Sequence, residues 1–112
     1  MPRERQETLG RVLTRRVGFR NAGRVLGVVS AWAFYVDKFG RAPTQTELQG
    51  ETARSHASWS RDLAIFARAF PDEESPDRIA RLLLARLRSD RKVGLEVAVA
   101  GAWSVPFSVV AL

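Results

Sequence analysis

The sequence predicts a mainly α-helical single domain, residues 1–112, with four to five helices around a helix-turn-helix. Three observations predict it: apolar residues recur every three or four positions through most of residues 21–92, helix start and stop signals divide that stretch, and 112 residues suffice for one core. A basic N-terminal arm or helix (1–20) precedes this helical core, and an apolar tail (93–112) follows it.

A long central helix is predicted over residues 21–39, after a first helix that ends near Gly18. Asn21 is a candidate N-cap, and Gly40 suits the left-handed conformation that ends many helices. The apolar residues of its buried face are Val25, Leu26, Val29, Trp32, Ala33, Val36 and Phe39. On this spacing, Trp32 is expected to pack in the core rather than to bind a ligand.

Two short helices joined by a polar turn are predicted between Arg41 and Pro71. Thr44 is a candidate N-cap, and Glu47 three residues later can close a capping box. Ser55 can cap the second helix, and Pro71 ends it. The apolar residues Leu63, Phe66 and Phe70 recur every three or four positions along it. A helix-turn-helix of this kind presents its second helix to the major groove of DNA.

The candidate DNA contacts lie at the start of the first short helix, in the turn and on the second helix. They are Thr44, Gln45, Arg54, Ser55, His56, Ser58, Trp59, Arg61 and Asp62. Arg61 is expected to make a bidentate contact with guanine or to hold a phosphate. Asp62 could accept from cytosine, or could hold Arg61 or Arg54 in place. For Trp59, a place in the core is the alternative to a contact in the groove.

This pattern resembles the helix-turn-helix of bacterial and phage regulators. The resemblance is carried by Pro43-Thr44, Glu47-Leu48, Ser55, Ser58, Arg61 and Leu63. The ending Phe66-Ala67-Arg68-Ala69-Phe70-Pro71 is similar to small helix-turn-helix proteins of actinobacteria and their phages. The resemblance covers the stretch from Arg41 to Pro71 and implies a transcription regulator whose partner is double-stranded DNA.

The charge of the chain also favours a nucleic-acid partner. Eighteen lysines and arginines stand against twelve acidic residues, a net charge of +6 with a pI near 11.2, and such a basic chain is expected to bind a polyanion or an acidic protein. Residues 1–24 alone contain seven arginines and two glutamates. We expect phosphate contacts from Arg15, Arg16, Arg20 and Arg41, the alternative being an ordinary solvated surface.

A further helix is predicted to start at Ser75-Pro76, a cap residue followed by the proline that suits a first helical position. Asp77 follows at the positive end of the helix dipole, where a carboxylate is favourable. The apolar residues of this helix are Ile79, Leu82, Leu83 and Leu87.

The apolar tail has the pattern of a short β-hairpin, with a helical tail as the alternative. Leu95, Val97 and Val99 alternate as in a strand, Gly101-Ala102 could form the turn, and residues 105–110 could return. Such a hairpin would be a wing beside the DNA-binding helix or the surface of a homodimer. The alternative function is a protein-interaction module that docks through this tail. A membrane span is not expected, since Glu96 and Pro106 interrupt the tail.

The residue inventory argues against an enzyme. The chain has one histidine and no cysteine, which excludes disulfides, thiolate metal sites and cysteine nucleophiles. The sequence contains no periodic pair of carboxylates and no glycine-rich phosphate loop. We therefore expect no enzymatic activity, no cofactor and no metal. The charged N-terminus lacks the pattern of a secretory signal, so we expect a cytoplasmic, nucleoid-associated protein.

Overall fold

Helices account for almost all of the described chain. The computed structural model describes residues 7–52, 56–87 and 95–111, of which 51–52, 56–57 and 95–98 are described by their backbone alone. The helices are α1 (Leu9–Val17), α2 (Phe19–Phe39), α3 (Gln45–Thr52), α4 (His56–Ala69), α5 (Asp77–Leu87), α6 (Leu95–Ser104) and α7 (Phe107–Ala111). The prediction of a mainly helical fold is therefore confirmed.

Helix α2 is the centre of the fold, because α1, α3, α4, α5 and α6 all pack against it. Its buried residues occupy more than one face, as Val28 and Ala31 are buried together with the predicted apolar stripe. Trp32 packs in the core, as predicted, and its indole Nε1 donates to Asp77 Oδ1 at 3.0 Å. The helix that sequence periodicity placed at the centre is the helix around which the others assemble.

Glycines set both ends of α2. Gly18 has a φ of +90° and separates α1 from α2, and Gly40 has a φ of +75° in the left-handed conformation predicted for it. The predicted start at Asn21 is wrong. Because Gly18 allows the chain to turn at once, α2 begins at Phe19, and the Asn21 side chain donates to Val17 O at 3.1 Å instead of capping.

Helix α5 begins as its sequence predicts. The Ser75 hydroxyl accepts from Asp77 N at 3.3 Å, and the helix starts immediately after Pro76. Ile79 and Leu83 are fully buried, which fixes the face that α5 turns toward α2.

The hairpin predicted for the tail is wrong, since residues 95–104 and 107–111 are helical. A helix brings Val99 and Ala102 to one face, and α6 packs this region against α1, α2 and α5. Valine favours strands only weakly, and tertiary packing overrides that preference here. These two helices also raise the number in the described part of the chain above the predicted four to five.

The two ends of the described chain are joined. Leu9 N donates to Val105 O and Phe107 N donates to Glu7 O, each at 2.7 Å, around an antiparallel bridge between Thr8 and Pro106. One cluster of buried apolar residues extends from Leu9 to Val110. The tail is therefore part of the core and not an appendage to it.

Candidate nucleic-acid interface

Helix α3 is fixed in place by the predicted capping box. Thr44 N donates to Glu47 Oε1 at 2.9 Å, and Glu47 N donates to Thr44 Oγ1 at 3.2 Å. Leu48, one residue further, is buried and anchors the helix on the core. The start of α3 is thus determined by the residues that sequence analysis selected.

Glu47 also accepts hydrogen bonds from α2 and the loop after it. Arg41 donates to it through both terminal nitrogens, at 3.0 and 2.8 Å, and its guanidinium lies over the Tyr35 ring with 5.5 Å to the centroid. The Tyr35 hydroxyl donates to the same carboxylate. Hydrogen bonds from Arg41, then Tyr35 and Thr44, hold the pKa of Glu47 well below its ordinary value. We call Tyr35, Arg41, Thr44 and Glu47 the α2–α3 clasp.

The clasp bears on the role predicted for Arg41. Its guanidinium is paired with Glu47, which raises the pKa of Arg41 further above its ordinary value. Arg15 is similarly paired with Glu7, on the exposed side of α1. Both arginines thus have a carboxylate partner in the free chain, and a phosphate would have to compete with it.

Helix α4 has a buried face and an exposed face. Ser60, Arg61, Ala64 and Arg68 are all exposed and recur at the helical spacing, so they form one stripe, which we call the α4 face. Arg61 and Arg68 are seven residues apart, which is about 10.5 Å along a helix. Ala64 lies between them. Within the part of the chain that the structure describes, neither arginine forms an ion pair or a hydrogen bond.

The structure corrects two of the predicted DNA contacts, because Trp59 and Asp62 lie on the opposite side of α4. Trp59 is fully buried and Asp62 is 1% exposed. Positions 59, 62 and 66 share the helix face that packs on the core, so neither side chain is presented to a groove. For Trp59, this is the alternative considered from the sequence.

Asp62 holds Arg24, an arginine that the sequence analysis did not propose. The predicted pairing of Asp62 with Arg54 lies outside the described residues. Arg24 Nη1 of α2 lies 3.3 Å from Asp62 Oδ1, and the Arg24 side chain remains 37% exposed. A buried carboxylate needs such a partner, since leaving it unpaired is costly. The only signal in the sequence was an acidic residue on the apolar stripe of α4, which does not identify the partner.

Two contacts fix α4 antiparallel to the chain segment that runs from α1 into α2. Asp62 meets Arg24, and further along α4 the Ala69 carbonyl accepts from Arg16 Nη1 at 2.7 Å. Arg20 falls between these two arginines in sequence and is exposed. Its side chain forms no ion pair or hydrogen bond within residues 7–52, 56–87 and 95–111. We call Arg20 and Arg24, one helical turn apart, the basic flank of α4.

The remaining candidates divide between α3, α4 and the segment between them. Gln45 Nε2 donates to Ser60 Oγ at 3.2 Å, which links the first residue of α3 to the α4 face. Thr44 is exposed, and Ser58 is half-buried. Arg54 and Ser55 lie outside the described residues, and only the backbone of His56 is described, at the start of α4.

The described residues contain no group of three or more histidine or acidic side chains placed to hold a metal ion. None of the helices described is long and apolar enough to cross a bilayer.

Comparison with protein-family models, curated proteins and solved structures finds no match for this chain.

Proposed function

We propose that the chain is a DNA-binding transcription regulator that inserts α4 into the major groove of double-stranded DNA. The observation that carries the proposal is the α4 face: two arginines without a protein partner in the described structure, two helical turns apart, on a helix whose other side is buried in the core. The rigid backing matters because a reading helix must be held in position to distinguish bases.

The size and charge of the α4 face suit the groove. The major groove is about 12 Å wide and admits one α-helix, and the small Ala64 side chain lets the backbone approach its floor. Asp62 is the only acidic residue of α4, and it is buried against Arg24. The charged side chains on the exposed side of residues 58–69 are therefore Arg61 and Arg68 alone. In this proposal Arg61 or Arg68 contacts guanine.

The basic flank of α4 supports the proposal by offering contacts to the DNA backbone. Arg24 is paired with Asp62 of α4, and Arg20 lies one helical turn before it on α2, exposed. In this proposal Arg20 contacts the sugar–phosphate strand at the edge of the groove. Such contacts fix the orientation of a protein on the duplex without reading its sequence. The net charge of +6 adds long-range attraction to the same partner.

A salt titration of binding to a random-sequence duplex tests the proposal. The logarithm of the affinity should fall linearly with the logarithm of the salt concentration, with a slope of about −0.9 for each phosphate contact. Selection of bound sequences from a random duplex pool then tests whether the binding is specific. Absence of DNA binding at low salt would reject the proposal.

The alternative, docking of a protein partner through the tail, has less support. Three described residues of the tail, Ala102, Val105 and Val110, are buried in the core, so these side chains are not available to a partner. One exposed aromatic side chain, Phe19, remains beside the half-buried Trp103, with ring centroids 5.6 Å apart. A partner complex that is insensitive to salt, together with no DNA binding, would favour this alternative.

A further inference from the structure

A cleft lies on the side of α1 where the chain end meets the segment between α4 and α5. Its volume is about 290 Å³, and its apolar lining comes from Phe70, Phe107 and Val110. This volume is at the lower end of the range for small-molecule sites, which suits a metabolite smaller than a drug-sized ligand.

One pair of charges in the cleft is already satisfied. The Arg78 guanidinium donates through Nε to both carboxylate oxygens of Glu73, at 3.1 and 2.9 Å, and through Nη2 to Val110 O at 3.1 Å. The Glu73 side chain is only 14% exposed. This pair builds a wall of the cleft, because it ties α5 and its preceding loop to α7.

A second pair of opposite charges lines the cleft without meeting. Arg16 donates one hydrogen bond, to Ala69 O, and its guanidinium lies over the Phe107 ring with 5.1 Å to the centroid. Asp72 is exposed. In the part of the chain described here, neither Arg16 nor Asp72 has an ion-pair partner. A guanidinium has five N–H donors, so Arg16 retains donors for an anion.

We infer that this cleft binds a zwitterionic α-amino acid with an apolar side chain. The ligand carboxylate pairs with Arg16, its ammonium group pairs with Asp72, and its side chain packs on Phe70, Phe107 and Val110. Guanidinium–carboxylate pairs are among the strongest charge-assisted hydrogen bonds, and the apolar lining supplies the rest of the contact.

Other small ligands leave one charge of the cleft without a partner. A simple carboxylate has no cationic group to pair with Asp72, and a simple amine has no anionic group to pair with Arg16. A phosphate brings two negative charges toward Asp72 and Glu73. Only a ligand with both charges next to an apolar group satisfies the whole lining.

Amide chemical shifts of the full chain, titrated with L-phenylalanine, test the inference. We expect saturable shifts at the amides of Phe70, Asp72 and Phe107. Affinity should be about tenfold lower for 3-phenylpropanoate, which lacks the ammonium group, and for phenethylamine, which lacks the carboxylate; tenfold corresponds to about 1.4 kcal/mol. Glycine should not saturate the site, because it has no side chain to pack on the apolar lining.

Asp72→Asn is the critical variant, since this exposed side chain forms no hydrogen bond or ion pair within the described part of the chain. It should weaken L-phenylalanine about tenfold and should not weaken 3-phenylpropanoate, whose carboxylate no longer lies near a second negative charge at position 72. Glu74→Gln is the matched control, an equally exposed acid two residues away that does not line the cleft, and it should bind L-phenylalanine normally. Equal affinity for L-phenylalanine and 3-phenylpropanoate, equal effects of the two variants, or no saturable shift would each overturn the inference.

Discussion

Adjacent residues on α4 have opposite environments. Arg61 is exposed, whereas Asp62 is buried against Arg24. Successive residues of a helix are rotated by about 100°, so one step along the chain moves a side chain from solvent into the core. Sequence analysis placed both among the candidate contacts because a charged side chain is normally outside. A substitution at the exposed Arg61 can therefore test DNA contact, whereas one at the buried Asp62 would also disturb the core.

Replacing Arg61 with alanine should cost roughly 1–3 kcal/mol of binding free energy and relax the preference at one base position, if this side chain reads guanine. Arg68→Ala should act in the same way if Arg68 is the reader. A phosphate contact would instead weaken all sequences equally and reduce the salt slope by about 0.9. Fluorescence anisotropy with matched and mismatched duplexes distinguishes these outcomes.

The control for this measurement is Arg86→Ala. Arg86 is an exposed arginine on α5, a helix that packs on α2, α6 and α7, so the variant removes the same charge away from the α4 face. It should leave specificity unchanged. A loss of affinity equal to that of the α4 variants would mean that net charge alone drives binding.

The α2–α3 clasp should make stability depend on pH. Because hydrogen bonds from Arg41, Tyr35 and Thr44 lower the pKa of Glu47 in the folded state, the clasp stabilises the fold above the unfolded value of about 4.3, and this contribution is lost as the pH falls below it. The difference in melting temperature between the natural chain and Glu47→Gln should therefore begin to shrink below about pH 5 and continue to shrink as the pH falls toward the lowered folded-state pKa of Glu47. A difference independent of pH would contradict a role for the Glu47 charge.

At the scale of elements, sequence analysis succeeded where the signal is local. The Thr44–Glu47 box, the Ser75 cap and the Gly40 terminus each depend on residues within one turn of the helix end. The start of α2 was misplaced because Gly18 and Asn21 are both acceptable boundary residues, and only the fold selects one. The same holds for the interface, since partners such as Arg24 for Asp62 are set by packing and not by spacing.

The tail could not be assigned from its own sequence. Alternating valines are compatible with a strand, but the same short apolar run also suits a buried helix. Contacts with residues distant in sequence determine that the tail is helical, because α6 packs against α1, α2 and α5. At Gly10, α1 presents a surface without a side chain to the Trp103 ring of α6.

That close packing of α1 on α6 makes Gly10→Ala destabilising. A Cβ at position 10 would overlap the Trp103 indole, and overpacking of this kind costs typically 1–3 kcal/mol. Gly23→Ala is the control: a Cβ there meets nothing within 4 Å, so the better helix propensity of alanine should stabilise α2 by up to about 1 kcal/mol. Urea unfolding of both variants measures the difference, and equal effects would contradict the packing of Trp103 on Gly10.

At the scale of the whole molecule, the two ends of the described chain close one core. The backbone hydrogen bonds of Leu9 and Phe107 join α1 to the α6–α7 junction, and Ala102, Val105 and Val110 are buried with residues of α1 and α2. From sequence alone, the tail was predicted to be a wing, a homodimer surface or a docking surface, and its deletion was expected to abolish dimers if it is an assembly surface. Because the tail is part of the core, its deletion is expected to affect folding, and an effect on assembly can be assessed only if the truncated chain still folds.

A chain that ends at residue 92 should therefore lose its cooperative unfolding transition, measured by circular dichroism on heating. It lacks the buried side chains of α6 and α7 and exposes the α1 and α2 surfaces that they cover.

A matched pair of point variants tests the same packing in the full chain. Ala102→Leu overfills a fully buried position and should cost about 1–3 kcal/mol of stability. Ala100→Leu, on the exposed side of the same helix, should cost far less. A truncated chain that melts as sharply as the full one would place the tail outside the folding unit, and light scattering would then report on assembly alone.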